Sequence, residues 1–337
     1  MRYRARMSSA PDVAARPGIW SKFPKVKNYL ARFELGPIGA AEARAWERDE
    51  LPRLRRWAAG ERFTYTVGPS DATSVADYGL ISVLQDLRRI GHVEEHFAIH
   101  AALRGAADWH ERWCKAVAYL YRCECFDHRW HQHAQLEFER GQRRQRLRTM
   151  GLVHGLGACV GHCIALGWFD HGTDLARRCL DAIDRDWCYD GGDDYGLRRT
   201  QHFVLRLVAD WQGWTAREQP HCAHDEPIFN ALMERWRTPD APALAQTILH
   251  ACDRHTHQCR YDNSKGEYFD LHVQSWYTPF EILALYRLRE SLGLANPLVE
   301  HPLLDTPLGR LQQIRPPWTD PLLDALVARW ELEVSAL

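Results

Sequence analysis

The sequence lacks any long apolar run and carries almost no net charge. No stretch approaches the roughly 18 apolar residues that a membrane-spanning helix needs, and no apolar signal-peptide core follows the basic start of the chain. Lysine and arginine total 43 against 44 aspartate and glutamate, a formal net charge of −1. Such a chain has no global field to attract nucleic acid or an anionic membrane. We expect a cytoplasmic protein with neither kind of partner.

The sequence also lacks the common motifs of catalysis and cofactor binding. It contains no Gly-x-Ser-x-Gly elbow and no phosphate-binding loop with the sequence Gly-x4-Gly-Lys-Ser/Thr. Gly155, Gly157 and Gly161 imitate a dinucleotide fingerprint, but the last glycine comes one residue late and no strand precedes them. Close helix packing explains these glycines better. We therefore predict no cofactor and no catalytic residues.

The 18 histidines and 10 cysteines form no strong metal-binding pattern. Zinc sites use paired ligands such as Cys-x2-Cys with a second pair at a suitable separation. The best candidate group needs a loop, because residues two apart on a helix point about 200° away from each other. That group is His255, His257 and Cys259. Three histidines spaced four apart share one helix stripe, which we interpret as a polar face. They are His92, His96 and His100. We predict no metal ion.

Composition and periodicity predict an all-α protein. Hydrophobic residues make up 45% of the chain, and 14 tryptophans supply large side chains for a packed interior. Helical patterns dominate from residue 40 onward, and the alternation typical of β-strands is nowhere sustained. We predict helices at 40–59, 71–90, 93–103, 108–123, 129–149, 152–166, 173–184, 195–211, 226–237, 241–254, 279–292 and 321–332.

Glycines that follow apolar helix ends predict the corners of helical hairpins. Such corners occur at Gly91, Gly167 and Gly293. Their separations of 76 and 126 residues share no short period, which does not support a regular repeat array. We expect an irregular stack of antiparallel helical hairpins. Residues 1–37 should form an irregular N-terminal arm, and residues 38–337 one helical body with a candidate division into two lobes near 214–225.

One stretch near the C-terminus has the signals of a complete helix. Thr278 can cap the first turn, and Glu281 completes a Thr-x-x-Glu capping box. Pro279 suits the first helical position because its missing N–H would be unpaired there. Residues 280–288 are almost wholly apolar, and Gly293 can supply a left-handed stop. We predict a helix that is buried at its start and exposed near its end.

The same region resembles the C-terminal part of the PoNi-type immunity proteins that bacteria carry beside type VI secreted and other polymorphic toxins. The resemblance covers about the last quarter of the chain and lies in Trp276, the run 280–288, Gly293 and Leu294, Asn296 and Pro297, and His301, Pro302, Leu303 and Leu304. It implies an all-helical protein of interbacterial competition. Such a protein binds a cognate secreted toxin domain and neutralises it by occluding the toxin's active site or substrate entry.

The strongest local binding signal is the acidic and aromatic segment 181–195. Clustered carboxylates can pair with a basic partner, such as a nuclease toxin, and aromatic side chains can form the desolvated centre of an interface. The carboxylates could instead cap the following helix and complement its dipole, and both interpretations stay open. The candidate toxin-binding residues are Asp181, Asp184, Asp186, Trp187, Tyr189, Asp190, Asp193, Asp194 and Tyr195.

A second aromatic group precedes the predicted helix at 279–292. Its side chains either pack beneath that helix, which we favour, or form a protein-binding rim. They are Tyr268, Phe269, His272, Trp276 and Tyr277.

Two other functional classes remain as alternatives. A helical hydrolase would use histidines and aspartates from separate helices, and it predicts a buried cluster of histidines and carboxylates with a shifted pKa. A helical scaffold would join protein partners through a concave face.

Overall fold

Helices form almost all of the regular structure. The computed structural model describes residues 40–67, 74–145, 147, 151–187, 198–215, 219–259, 270–271 and 275–335. Within these ranges the chain forms ten α-helices and one two-stranded sheet. The prediction of an all-α fold is confirmed. None of the described helices has the length and apolar character needed to cross a membrane.

The helices and strands follow one another in a simple order. They are α1 (Ala40–Ala58), β1 (Thr64–Val67), β2 (Ser74–Asp77), α2 (Leu80–Leu103), α3 (Trp109–Glu139), α4 (Gly151–Ala165), α5 (Phe169–Asp184), α6 (Arg199–Trp211), α7 (Pro227–Arg235), α8 (Ala241–Gln258), α9 (Phe280–Ser291) and α10 (Pro321–Ser335). Two short 3-10 turns lie at His221–Ala223 and Pro307–Gly309.

The chain divides into two compact units. One unit contains α1 to α5, the two strands and α10, and we call it the α1–α5 unit. The other contains α6 to α9 and the chain up to Leu311, and we call it the α6–α9 unit. The interval 214–225, where we expected a division, lies inside the α6–α9 unit.

In the α1–α5 unit, α2 and α3 form an antiparallel pair. Arg88 near the start of α2 contacts Asp127 in the second half of α3, whereas Glu94 in the second half of α2 contacts Lys115 near the start of α3. Apolar packing closes the unit on another side of α3. There the Trp330 ring of α10 stacks on Phe126 with ring centroids 4.2 Å apart.

The two strands form a short hairpin that the sequence did not predict. Thr64 lies opposite Asp77 and Thr66 opposite Val75 in an antiparallel register. Each strand has only four residues, which is too few for a clear alternating pattern. The second strand occupies part of the range 71–90, which we predicted to be helical.

The predicted corner at Gly91 is wrong, because α2 runs unbroken through this residue. Gly91 instead lies where α2 meets α3: a Cβ atom added there would be 2.6 Å from the Leu120 side chain. Lack of space, rather than a turn, explains the glycine. The predicted break between residues 123 and 129 is also wrong, since α3 is one helix of 31 residues.

The two other predicted helix ends are confirmed. Gly167 has φ of 79° and forms the corner between α4 and α5. Gly293 has φ of 72° and follows the end of α9, where Leu294 N donates to Arg289 O at 2.9 Å. Both glycines supply the left-handed conformation that ends many helices. No helix follows Gly293 directly among the described residues, so the stop there is not a hairpin corner.

The predicted capping box at the start of α9 is wrong. Pro279, rather than Thr278, is the N-cap residue, and it makes no side-chain cap. Glu281 turns inward instead, with 1% of the residue exposed, and contacts His255 of α8. The predicted burial pattern is correct: residues 280–289 are buried, and exposure begins at Glu290.

Arg289 links the end of α7 to the segment that follows α9 through hydrogen bonds. Its side chain is wholly buried and donates to the carbonyls of Trp236, Thr238 and Ala295. The carbonyls at a helix end have no partner within the helix, and this buried guanidinium supplies one. The irregular segment after α9 is thereby held in place.

We expect Gly91→Ala to destabilise the α1–α5 unit by about 1–3 kcal/mol, because the added methyl group overlaps Leu120. Chemical denaturation of the purified protein measures this change. Gly79→Ala is the matched control, since a Cβ at Gly79 meets no atom within 4 Å. Equal stability of the two variants would show that Gly91 is not a packing requirement.

Candidate functional site

The described part of the predicted acidic site is the carboxyl end of α5. The amide of Trp187 donates to Ala182 O at 2.9 Å, and that of Asp186 to Ile183 O at 3.0 Å. These two bonds form a Schellman motif. Asp186 occupies its left-handed position, with φ of 57°. Glycine would adopt this conformation more easily, and a residue with a Cβ costs about 1 kcal/mol there.

Three carboxylates crowd this helix end. Asp184 and Asp186 are exposed, and Asp181 is half-buried and accepts from Arg185 Nε at 2.8 Å. The carboxyl end of a helix carries a partial negative charge, so each carboxylate there is unfavourable by about 0.3–1 kcal/mol. The last turn of α5 contains no basic residue, and Arg185, which follows it as the C-cap, pairs with Asp181. The helix dipole therefore opposes the acidic character of the surface.

These described carboxylates do not cap the helix that follows. In α6 the N-cap residue, Arg198, makes no side-chain cap, and the first turn contains no acidic residue. The amide of Thr200 donates to Asp270 Oδ2 at 3.3 Å. Asp270 thus takes the role that we considered for the acidic segment. For the three carboxylates of α5 the capping interpretation is wrong.

The expectation that Trp187 presents its ring to a partner needs correction, because only 1% of the residue is exposed. Its ring lies 5.4 Å from the imidazole of His128 on α3, and the Schellman motif directs it inward. Burial lowers the pKa of His128 to about 4, so this histidine is neutral. Trp187 forms the apolar base of the acidic surface.

The second aromatic group also turns inward where it is described. Trp276 is 5% exposed and Tyr277 is fully buried, in agreement with the packing interpretation. The other predicted site residues lie outside the described residues. They are Tyr189, Asp190, Asp193, Asp194, Tyr195, Tyr268, Phe269 and His272.

A buried ionic network centres on Arg254 of α8. The guanidinium donates to Glu226 Oε2 at 2.6 Å, to Thr200 Oγ1 at 2.9 Å and to Asp270 Oδ2 at 2.6 Å. Burial lowers the pKa of Arg254, but the two carboxylates outweigh burial and raise it. Glu226 is the N-cap of α7 and Thr200 lies in the first turn of α6. One side chain therefore joins the starts of two helices.

The next residue, His255, has a separate set of partners. Nδ1 contacts Glu281 Oε1 at 2.7 Å, and Nε2 lies 3.1 Å from Ser275 O and 3.3 Å from Trp276 O. Because both nitrogens face acceptors, the doubly protonated ring is favoured. Burial lowers the pKa of His255, but Glu281 outweighs burial and the pKa rises to about 10. The side chain is a fixed cation within the fold.

These contacts also bear on the metal hypothesis for residues 255–259. That hypothesis required a loop, but α8 continues to Gln258, so His255 and His257 lie on a helix. The Cys259 thiol donates to His255 O at 3.1 Å. Among the described residues, no group of three His, Cys, Asp or Glu is placed to hold a metal ion.

A second buried cluster of histidines and carboxylates lies between α2, α3 and α4. Asp127 contacts Arg88 Nη2 at 2.7 Å and His131 Nδ1 at 3.2 Å. His92 Nδ1 lies 3.1 Å from Glu95. A helical hydrolase would need such a cluster, but these groups are engaged with one another. The arrangement is one of paired charges rather than side chains converging on a common point.

The predicted polar stripe of histidines is partly buried. His96 is 4% exposed, and burial lowers its pKa to about 4. His162 of α4 lies 4.0 Å from the second oxygen of Glu95. The interpretation of the three histidines as a polar face is therefore wrong for His96, which is buried.

Sequence reasoning missed Arg254, Asp270 and the role of Glu281. Their pairings span 16 residues between Arg254 and Asp270 and 26 residues between His255 and Glu281, so no local motif contains them. One signal was present: Glu281 is the only carboxylate within the apolar run 280–288. An acidic residue in such a run needs a buried partner.

Comparison of the chain with protein-family models, curated proteins and solved structures gives no match.

We expect Arg254→Met to destabilise the α6–α9 unit by about 3–5 kcal/mol, because it leaves the Asp270 and Glu226 carboxylates without their cation. Thermal and urea unfolding measure this loss. Arg237→Met is the control, since Arg237 and Asp210 form an exposed pair and such pairs contribute about 1 kcal/mol or less. Similar losses in both variants would contradict a central role for Arg254.

The His255–Glu281 pair should make the stability of the α6–α9 unit depend on pH. A histidine with a raised pKa stabilises the fold fully below its unfolded value of 6.5, and this stabilisation is lost as the pH rises to about 10. In Glu281→Gln the free energy of unfolding, measured by denaturation, should fall less between pH 6.5 and about 10. Glu290→Gln, an exposed change on the same helix, should leave the fall unchanged. An unchanged slope in Glu281→Gln would contradict the assignment.

Proposed function

We propose that this chain is an immunity protein of interbacterial competition that acts by binding. It uses the acidic end of α5 to hold a cognate secreted toxin domain, and it occludes the toxin's active site or substrate entry without catalysing a reaction. The observation that carries the proposal is the exposure of Asp184 and Asp186 at a helix end whose dipole disfavours them.

The physical argument is a local conflict between stability and surface chemistry. Asp186 stands in a left-handed position that glycine would fill more easily. It also adds negative charge where the helix already carries some. Departures from the locally favoured residue are typical of functional sites. A basic partner surface would turn the unfavourable charge into a favourable interaction, because its cations would lie opposite the exposed carboxylates.

The sequence around this helix end strengthens the charge argument. Asp190, Asp193 and Asp194 follow within eight residues of Asp186, so the segment adds further negative charge after the helix. A nuclease toxin binds a polyanion and needs a basic surface to do so. The same basic surface would attract these carboxylates, so a partner bound there would block substrate entry.

The engaged interior charges of the α6–α9 unit favour binding over chemistry there. Arg254 and His255 each contact fixed partners, so their neighbours hold them in the charged state at neutral pH. General acid–base catalysis needs a group that can gain and lose a proton in contact with substrate. The resemblance to PoNi-type proteins indicates the class of partner, a secreted toxin domain. The acidic end of α5 indicates that the partner's surface is basic.

The test is co-expression with the product of the adjacent gene in a sensitive bacterial host, scored by survival and by co-purification. The unmodified protein should rescue growth and form a stable complex. The double variant Asp184→Arg and Asp186→Arg should weaken the complex by about tenfold or more, equivalent to about 1.4 kcal/mol. The added repulsion should act on the association rate and fade with salt.

A matched control separates the site from net charge. Glu47→Arg with Glu300→Arg makes the same change in charge at two other exposed carboxylates. This variant should bind as the unmodified protein does. If the unmodified protein gives no rescue and forms no complex, the proposed function is refuted. Equal weakening in both double variants would remove the end of α5 from the interface.

A further inference from the structure

Glu124 is the incompletely compensated carboxyl in the buried cluster between α2, α3 and α4. It is 4% exposed, and its contact with Arg88 Nη2 is 3.8 Å long. The same Arg88 atom lies 2.7 Å from Asp127, which also contacts His131. Asp127 therefore takes the short contacts of both cations. Position alone makes Glu124 the carboxyl that is least neutralised by its neighbours.

Gly155 of α4 provides the space in which the Glu124 carboxyl lies. A Cβ atom added to Gly155 would be 2.6 Å from both carboxyl oxygens, so any larger residue would displace the group. The carboxyl thus fills a notch in the surface of α4. A neutral carboxylic acid suits this position, whereas an ionised one loses its hydration there.

We propose that Glu124 and the notch at Gly155 form a proton-operated packing switch between α3 and α4. The uncharged carboxyl fits the notch and joins the two helices. The ionised carboxylate favours Arg88 or water, so it leaves the notch and loosens α4. This inference does not depend on the proposed function, because it concerns the fold of the α1–α5 unit alone.

The electrostatic surroundings support the switch. Burial raises the pKa of Glu124 to about 7, although Arg88, His92 and His131 lower it; Asp127 raises it further. From α4, Cys159 adds no cation, since its own pKa is raised by Cys163 and by burial. The charged groups of α5 and α10 face other parts of α3. Asp174 contacts Tyr121 and Cys125, Asp181 contacts His128, and Glu331 contacts Arg129.

The sign of the pH effect follows from linkage. An acid with a raised pKa binds its proton more tightly in the closed form than in an opened form, where the ordinary value of 4.5 applies. Opening of α4 therefore becomes easier as the pH rises through the interval from 4.5 to about 7. One released proton changes the opening constant by up to tenfold per pH unit, and with pKa values of 4.5 and about 7 the change between pH 5 and 7 is about fortyfold.

Hydrogen exchange of the α4 amides in the full-length protein tests this switch, after correction for the intrinsic pH dependence of exchange. Protection should fall by about fortyfold between pH 5 and 7 in the unmodified protein. Glu124→Gln keeps the shape of the group but cannot ionise, so its protection should stay level. Asp127→Asn releases Arg88 to Glu124 and should move the fall to lower pH.

The carboxyl can also be observed directly, so the test does not rely on the variants folding. Infrared or carbon NMR spectra of the unmodified protein should show a protonated Glu124 at pH 6. An ionised Glu124 at that pH would overturn the inference. So would a protection of α4 that does not change with pH, or the same fall in Glu124→Gln.

Discussion

A buried guanidinium must find an acceptor for its donors, and the α6–α9 unit is arranged around this requirement. Removing the charge from water costs several kcal/mol before any contact is made. Arg254 recovers that energy from two carboxylates and a hydroxyl, whereas Arg289 uses three backbone carbonyls. The two arginines constrain different parts of the unit. The contacts of Arg254 determine which helix N-termini meet at its side chain, and the contacts of Arg289 determine the path of the chain after α9.

The α1–α5 unit meets the same requirement with a different balance of charge. Its buried cluster holds more carboxyl groups than Arg88 and His131 can neutralise at short range, and Asp127 takes both. The excess is confined to Glu124, which sits against a glycine. In the α6–α9 unit Arg254 and His255 have close carboxylate partners. In the α1–α5 unit a proton on Glu124 neutralises the remaining carboxyl.

The sequence predicted the class of fold well because helix formation depends on local periodicity and punctuation. It was less reliable where one residue type serves two purposes. Gly167 and Gly293 end helices through their positive φ, but Gly91 is a glycine because Leu120 leaves no room. Glu281 fits a capping box by its spacing, yet it contacts a histidine 26 residues away. Local spacing cannot distinguish these cases, because the deciding atom belongs to another helix.

The candidate site was predictable only as a concentration of charge and aromatic residues. Clustered aspartates at 181–186 marked a surface, but burial of Trp187 depended on the turn after α5 and on His128 beneath it. The ionic networks were invisible because their members come from separate helices.

The unbroken course of α3 has a mechanical consequence. A helix of 31 residues is about 46 Å long and resists compression along its axis. His128 lies beneath Trp187 and the acidic end of α5, only four residues along this rod from Glu124. A partner that presses on Trp187 therefore pushes against the same stiff element that carries the notched carboxyl. A load on the acidic end of α5 and proton binding at Glu124 would therefore act on the same helix.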